Sequence, residues 1–291
     1  MNILPQLLIN SLIAGAIYAL IASGFSLIYS VVNFIHFAYG AIFLIAPYLA
    51  YTFYKMIGLP FYLAVIIAIS GCAILGILID QLIYKSLRSR KSANLTYLIS
   101  SLGVFVFLQS LVQLIFGAEI KTLRFSPIQK GVEIFSAIIT TNQLLILLTA
   151  FLILILLHLF LKRCRLGKAM RAISDDVEAA QICGIKPEKI IICTFALGSA
   201  LAGIAGILIG LEQNLEPNMG MPAMLKGLTA AVIGGIGSVP GAMLGGFLLG
   251  LAENFGIWFL PSGYKDAIAF GILILFLLFK PQGLLGKKKR V

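Results

Sequence analysis

Charge is what this 291-residue chain lacks: Asp, Glu, Lys and Arg make up 11% of it, where a soluble domain carries about 25%. Hydrophobic residues reach 60%, so too little polar surface exists to cover a water-soluble fold. Acids are scarce, eleven in all, and histidine occurs twice. A carrier driven by protons or sodium needs more carboxylates within its membrane spans than this chain offers. Cys72, Cys164, Cys183 and Cys193 show no metal-ligand spacing. Three of them sit at or near a segment expected in the cytoplasm, so free thiols are expected. No Gly-rich phosphate loop ending in Gly-Lys-Ser/Thr occurs; Gly286-Lys287 lacks the preceding glycines. No nucleophile–base pairing stands out either. This chain is therefore expected to hold no cofactor, metal or catalytic residue of its own. The N-terminus has no basic stretch, its first charged side chain being Lys55, so no cleavable signal peptide is expected.

What is present is a series of apolar runs. They are continuous and about 20 residues long, which suits membrane helices and not the alternating strands of a barrel. Spans are predicted at about 5–29, 35–54, 61–84, 94–116, 142–161, 189–211 and 264–280. Sixteen of the 22 basic residues fall in Lys85–Lys91, Lys162–Lys189 and Lys280–Arg290. Membrane proteins keep Lys and Arg on the cytoplasmic side, so all three stretches are expected inside, and the net charge of +11 is a topology signal, not a nucleic-acid footprint. Lys287–Arg290 is an anchor or a contact for anionic lipid. Counting crossings then puts the N-terminus, 118–141 and 212–224 outside. Within 225–260, the stretch 225–237 would make a helix of about 20 Å, too short for a core of ~30 Å. A break at Gly237–Gly241 separates it from a full-length helix. The expected fold is all-α: one domain, 1–291, a polytopic bundle of about 8–9 transmembrane segments with one short or broken helix and a cytoplasmic C-terminus.

Gly15, Ala19 and Ser23, and again Gly198, Ala202, Gly206 and Gly210, recur at four-residue steps. Such stripes let helix backbones approach closely, so both helices are expected inside the bundle. Broken helices are tolerated where they line a cavity or pack in protein, and they commonly border a substrate route. Gly234, Gly235 and Gly237 are path candidates on that ground, and a tight turn between tilted helices fits them equally. Glu253 is the deepest acid. It meets a substrate ammonium group or pairs with Lys265 or Lys226, pairing being favoured. Asp80 is expected to pair with Lys85, and His158 to sit at the inner interface. Asn33, His36 and Tyr39 fall three apart on one predicted helical face, as further path candidates or as core packing.

Gly167–Pro187 is a polar segment between two spans. Met170, Ile173, Val177 and Ala180 recur at three and four residues, predicting two short amphipathic helices across the membrane surface. Asp175 and Glu178 have the spacing of a capping box, Gly184 suits a left-handed helix end, and Pro187 suits the first turn of the next helix.

Glu178-Ala179-Ala180 followed by Gly184 resembles the EAA loop with which ABC-importer permeases dock on their ATPase. GKAMRAISDD (Gly167–Asp176), GSALAGIAG (Gly198–Gly206), GGIGSVPGAMLGG (Gly234–Gly246), YKDAIAF (Tyr264–Phe270) and KPQGLLG (Lys280–Gly286) resemble the LivH-like permeases of branched-chain amino acid importers. The resemblance implies coupling to the ATPase through Gly167, Arg171, Asp175, Asp176, Glu178, Ala179, Ala180 and Gly184. Its implied partners are a second related permease, two ABC ATPase subunits, and a periplasmic or extracellular solute-binding protein that delivers a small amino acid, all at a bacterial-type inner membrane. An Asn-Phe-Ala-His-Gly motif of that family falls on His36–Gly40, so His36 replaces its Asn and Tyr39 its His. A permease for urea, short amides or sugars is the alternative, and an ion-coupled carrier a more distant one.

Overall fold

The computed structural model describes residues 3–123, 131–134, 137–259 and 261–286. Lys130 and the 287–290 tail, both expected to mark loop sidedness, lie outside the described residues. In chain order come α1 (Ile3–Val32), α2 (Ala38–Tyr51), and α3 (Phe61–Ile79), which runs through a wide π-type turn (Asp80–Tyr84) into α4 (Lys85–Ser89). Then follow α5 (Asn94–Phe116), the strands β1 (Val132–Ile134) and β2 (Ala137–Ile139), α6 (Thr141–Arg163), α7 (Arg165–Asp175) and α8 (Val177–Ile182). The chain closes with α9 (Pro187–Glu212), α10 (Gly220–Gly234), α11 (Val239–Gly256) and α12 (Lys265–Phe279). Among the described residues the fold is all-α except for a small antiparallel hairpin in which Val132 faces Ile139 and an isolated bridge between Lys121 and Leu215. The Gln6 side chain bonds both the N–H and the C=O of Ile138, at 2.9 and 3.2 Å, and so ties that hairpin to α1.

Five helices of the described residues are long and apolar enough to cross a membrane: α1, α3 with α4, α5, α6 and α9. A sixth is counted if α10 and α11, bent by 114° at their junction, form one broken span. α2, with 14 residues, and α12, with 15, are shorter. Burial sorts these helices. In the apolar stretch of α1 83% of residues are buried and in α9 61%, against 22–28% in α3, α5 and α6. α1 and α9 therefore form the interior, as their small-residue stripes imply. The outer helices present leucine, isoleucine and phenylalanine, such as Phe107, Leu114, Leu152 and Ile155, on faces that only lipid or another apolar surface would cover.

Close packing rests on those stripes. A Cβ on Gly246 of α11 would collide with the backbone of Ala19 in α1, and one on Gly250 would meet the Cα of Gly15 at 2.5 Å. Gly241 and Gly245, on the other side of α11, abut Gly234 and Ala230 of α10 in the same manner. α11 is thus clamped between two backbones. On α9, Gly206 faces the carbonyl of Phe43, which Pro47, four residues on in α2, cannot pair for want of an N–H.

Several boundaries differ from expectation. The short helix starts at Gly220, not 225, because Pro222 falls in its first turn, where no N–H partner is needed. It ends at Gly234, and the break is 235–238: Gly235 (φ 109°) and Gly237 (φ 86°) take left-handed conformations suited to glycine. Pro240 lies inside the first turn of α11, and the Ser238 hydroxyl caps that helix by accepting from Gly241 N–H. Along α11, Leu249 is buried at 1% exposure, while the adjacent Leu248 is 42% exposed.

Gly246→Val should lower stability by about 1–3 kcal/mol or more through overpacking, whereas Leu248→Ile should change little. Thermal unfolding in detergent, followed by loss of the monodisperse peak, checks the contrast.

Candidate functional site

Three places hold the polar side chains that this bundle buries or presents. The first surrounds residues 33–37. Sequence spacing put Asn33, His36 and Tyr39 on one helical face, and the structure corrects this. Asn33 adopts φ 58°, a left-handed conformation that asparagine tolerates better than most residues. It ends α1, and only Tyr39 belongs to α2. Non-helical backbone inside a bundle needs partners. Ser101 of α5 supplies them, accepting from Phe37 N–H at 3.2 Å and donating to the Leu98 carbonyl at 2.8 Å, with the Ile35 carbonyl at 3.4 Å. His36 is buried, with Nδ1 2.8 Å from the Tyr84 hydroxyl and its ring edge-on to Tyr84 and Phe195. Among the described residues, its Nε2 has no partner. Tyr39 is fully buried and donates to the Ile21 carbonyl at 3.0 Å. Asn33 is exposed.

Asp80 and Tyr84 bracket the π-type turn, and both are fully buried. Asp80 pairs with Arg88, not with Lys85: the guanidinium reaches its two oxygens at 2.6 and 3.1 Å, a fork geometry that an ammonium group cannot match. Lys85 instead contacts Gln81. His158 is exposed on α6.

The second place is the junction of α10 and α11. Its closure comes from the segment after α12: Leu284 N–H donates to the Ile233 carbonyl and Leu285 N–H to that of Gly234, both at 2.9 Å. These are carbonyls that a helix end leaves open. A Cβ on Gly235 would strike the Gly286 backbone, and Gly234 rests on Gly241. Gly237 donates its N–H to the Ser26 hydroxyl of α1 at 3.1 Å. Further along α11, Glu253 is 1% exposed and pairs with Lys226, Nζ lying 3.3 Å from Oε1. The Tyr18 hydroxyl donates to its Oε2 at 2.7 Å. Lys226 also reaches Asp266 at 2.9 Å, so one cation joins α10, α11 and α12, with α1 attached through Tyr18. Lys226, not Lys265, is the partner of Glu253. Sequence spacing missed Tyr18 and Ser101 because their partners lie far along the chain; Arg88 lies only eight residues from Asp80, beyond the nearer Lys85.

The third place is the polar segment, which forms α7 and α8. Met170, Ile173 and Ala180 are buried as the periodicity predicts, but Val177 is 39% exposed. The cap of α8 is Asp176, not Asp175: its Oδ1 accepts from the N–H groups of Glu178 and Ala179 at 2.8 and 3.0 Å. Asp175 closes α7 instead. Gly167 packs on the end of α6, where a Cβ would meet Leu161 Cα at 2.6 Å. Gly184 is left-handed at φ 81°, and Pro187 opens α9. Arg171, Asp175, Asp176, Glu178, Ala179 and Gly184 are all exposed, beside an 89% exposed Ile182. Charges and an apolar tip share one uncovered surface.

Comparison with known proteins fits this geometry. The family described as branched-chain amino acid transport system / permease component matches residues 7–277. The chain belongs to that family. It is similar to the high-affinity branched-chain amino acid transport system permease protein BraD of Pseudomonas aeruginosa, at 39% identity over 97% of this chain and 95% of that one. It is 36% identical to the permease protein LivH of Escherichia coli, with the same coverage. Among solved structures, PsaBC from Streptococcus pneumoniae in complex with Fab aligns with a TM-score of 0.55 at 15% identity, over 94% of this chain and 91% of that one. That likeness concerns the fold. The family match, residues 7–277, takes in the region around 33–37, the α10–α11 junction and the α7–α8 surface, and the closing residues Leu284 and Leu285 lie beyond it.

Arg88→Met strands the buried Asp80 carboxylate and should cost about 3–5 kcal/mol. The double variant Asp80→Asn/Arg88→Met should recover part of that loss. Urea unfolding in detergent measures both.

Proposed function

We propose that this chain is the permease subunit of an ABC importer and forms the membrane path for leucine, isoleucine and valine. Near-full-length identity of 36–39% to branched-chain amino acid permeases carries the reading. The chain works at the inner membrane beside a second related permease. Two ATPase subunits drive it from the cytoplasm, and a solute-binding protein feeds it from outside. It binds no nucleic acid and no cofactor, and its chemistry is a change of shape, with hydrolysis left to the partner chains.

The bundle crosses with its N-terminus outside and its C-terminus inside. α2 and α12 serve as spans, α10 as the short one, for about 8–9 segments in all. Basic residues at Lys85–Lys91 and Lys162–Lys189 support that orientation. α7 and α8 are the coupling segment. Asp176 fixes the start of α8, while Glu178, Ala179 and Ile182 face outward toward an ATPase groove. ATP binding changes the contacts made there, and the differential contact energy shifts the bundle between its two states. Asn33, His36, Tyr39, Gly234, Gly235, Gly237 and Glu253 border or support the path, Gly235 and Gly237 through backbone alone.

ATP-dependent leucine uptake by the assembled complex in liposomes tests the reading, and uptake of urea or a sugar in its place would overturn it. Glu178→Lys should abolish the stimulation of ATP hydrolysis by loaded binding protein without reducing membrane insertion. Single cysteines at Arg88 and Arg171 should react only from inside, and one at Glu216 only from outside. Labelling of the Arg88 position from outside would reverse the orientation.

A further inference from the structure

A cavity of about 240 Å³ opens where the start of α1, the start of α6, the end of α9, the end of α11 and the start of α12 converge. In the proposed orientation, on which this inference rests, all five of those ends face outward. Ile13, Ile17 and Ile209 supply an apolar wall, and Glu212 and Lys265 supply opposite charges at the same opening. A sphere of that volume is roughly 8 Å across, smaller than the site for a drug-sized ligand, and Glu212 and Lys265 both line it. Glu212 accepts one hydrogen bond, from Gln143 at 2.9 Å, and a carboxylate has room for more. Among the described residues, Lys265 has no ion-pair partner: Asp266 beside it is taken by Lys226. Tyr18 also lines the cavity and connects it to the buried Glu253–Lys226 pair.

Each ligand class makes different demands. An anion alone would be repelled by Glu212, and a cation alone by Lys265. A neutral sugar pairs with neither charge. A zwitterion with an aliphatic side chain pairs with both charges and covers the isoleucines, while Asn10, Gln143, Gln213 and Asn254 line the rest of the opening.

We propose that this cavity is the outward-facing site for the transported amino acid, Lys265 taking its carboxylate, Glu212 its ammonium group and the isoleucines its side chain.

The test uses the complete complex in liposomes, built on a cysteine-free background with Ala14→Cys, a cavity-lining position. A membrane-impermeant thiosulfonate added outside should label this cysteine. Leucine-loaded binding protein should slow labelling about tenfold relative to unloaded protein, the loss expected when one charge-assisted contact governs occupancy. Adding Lys265→Gln should remove that protection. Equal protection with and without Lys265→Gln would mean that docking of the binding protein merely covers the opening, and would overturn the assignment. So would the absence of protection in the first variant, or failure of the cysteine to react from outside. Leucine uptake by the unmodified complex is measured in parallel. Uptake together with any of these results rejects the cavity alone, whereas no uptake rejects the transport reading itself.

Discussion

The close approach of α11 to α1 and α10 is the constraint on which the rest of the bundle depends. In lipid there is no hydrophobic gain from bringing two apolar helices together, so contact has to come from backbones meeting at short range. Gly246 and Gly250 meet Ala19 and Gly15 on one side, and Gly241 and Gly245 meet Gly234 and Ala230 on the other. With α11 held between them, α1 is left to pack against α6 and α9, and α9 against α2 and α3. The seams of α11 with α1 and α10 are consequently built of small residues, large side chains such as Phe25, Phe43 and Phe195 fill the rest of the interior, and many apolar side chains of α5, α6 and α12 are exposed.

Few charges are buried in this frame, and each is matched, Asp80 within eight residues and Glu253 across 27 and 235. Asp80 meets Arg88 through a two-pronged contact, and Glu253 meets Lys226 and Tyr18. A buried ion pair contributes little net stability once desolvation is counted, yet removal of one partner is costly. Such pairs fix register: a slip of α10 past α11 would strand Glu253, and a slip of the π-type turn would strand Asp80. Lys226 touches both the buried Glu253 and the 61% exposed Asp266. A small rearrangement of α12 against α10 would therefore shift its partner balance without leaving a charge alone.

In the proposed transport cycle these parts would act in series. The α7–α8 segment offers charge and an exposed Ile182 to a partner, and its buried side chains, Met170, Ile173 and Ala180, carry the segment on the bundle. α7 touches α1 and α9, the two most enclosed helices. In that cycle a force applied at the uncovered surface would reach the interior through α7, and α1 also lines the cavity.

The amino-acid sequence by itself determined the membrane class, the apolar spans, the amphipathic face of α7, the left-handed Gly184 and the family, because each of these is a local pattern or a contiguous motif. It determined that α1 and α9 lie inside, since four-residue stripes of small residues have one physical use in lipid. Tertiary structure decided the partners of the buried acids, Arg88 over Lys85 for Asp80 and Lys226 over Lys265 for Glu253, while Asp176 caps α8 through a local contact set by where α7 ends. It also decided that Asn33 and His36 lie outside any helix, held there by Ser101 from α5, and that residues after α12 close the break beyond Gly234. Most of those outcomes depend on which backbones and side chains meet between separate elements, at separations from 8 residues for Asp80–Arg88 to 66 for Ile35–Ser101. Spacing along one helix carries no information about a neighbour that arrives from elsewhere.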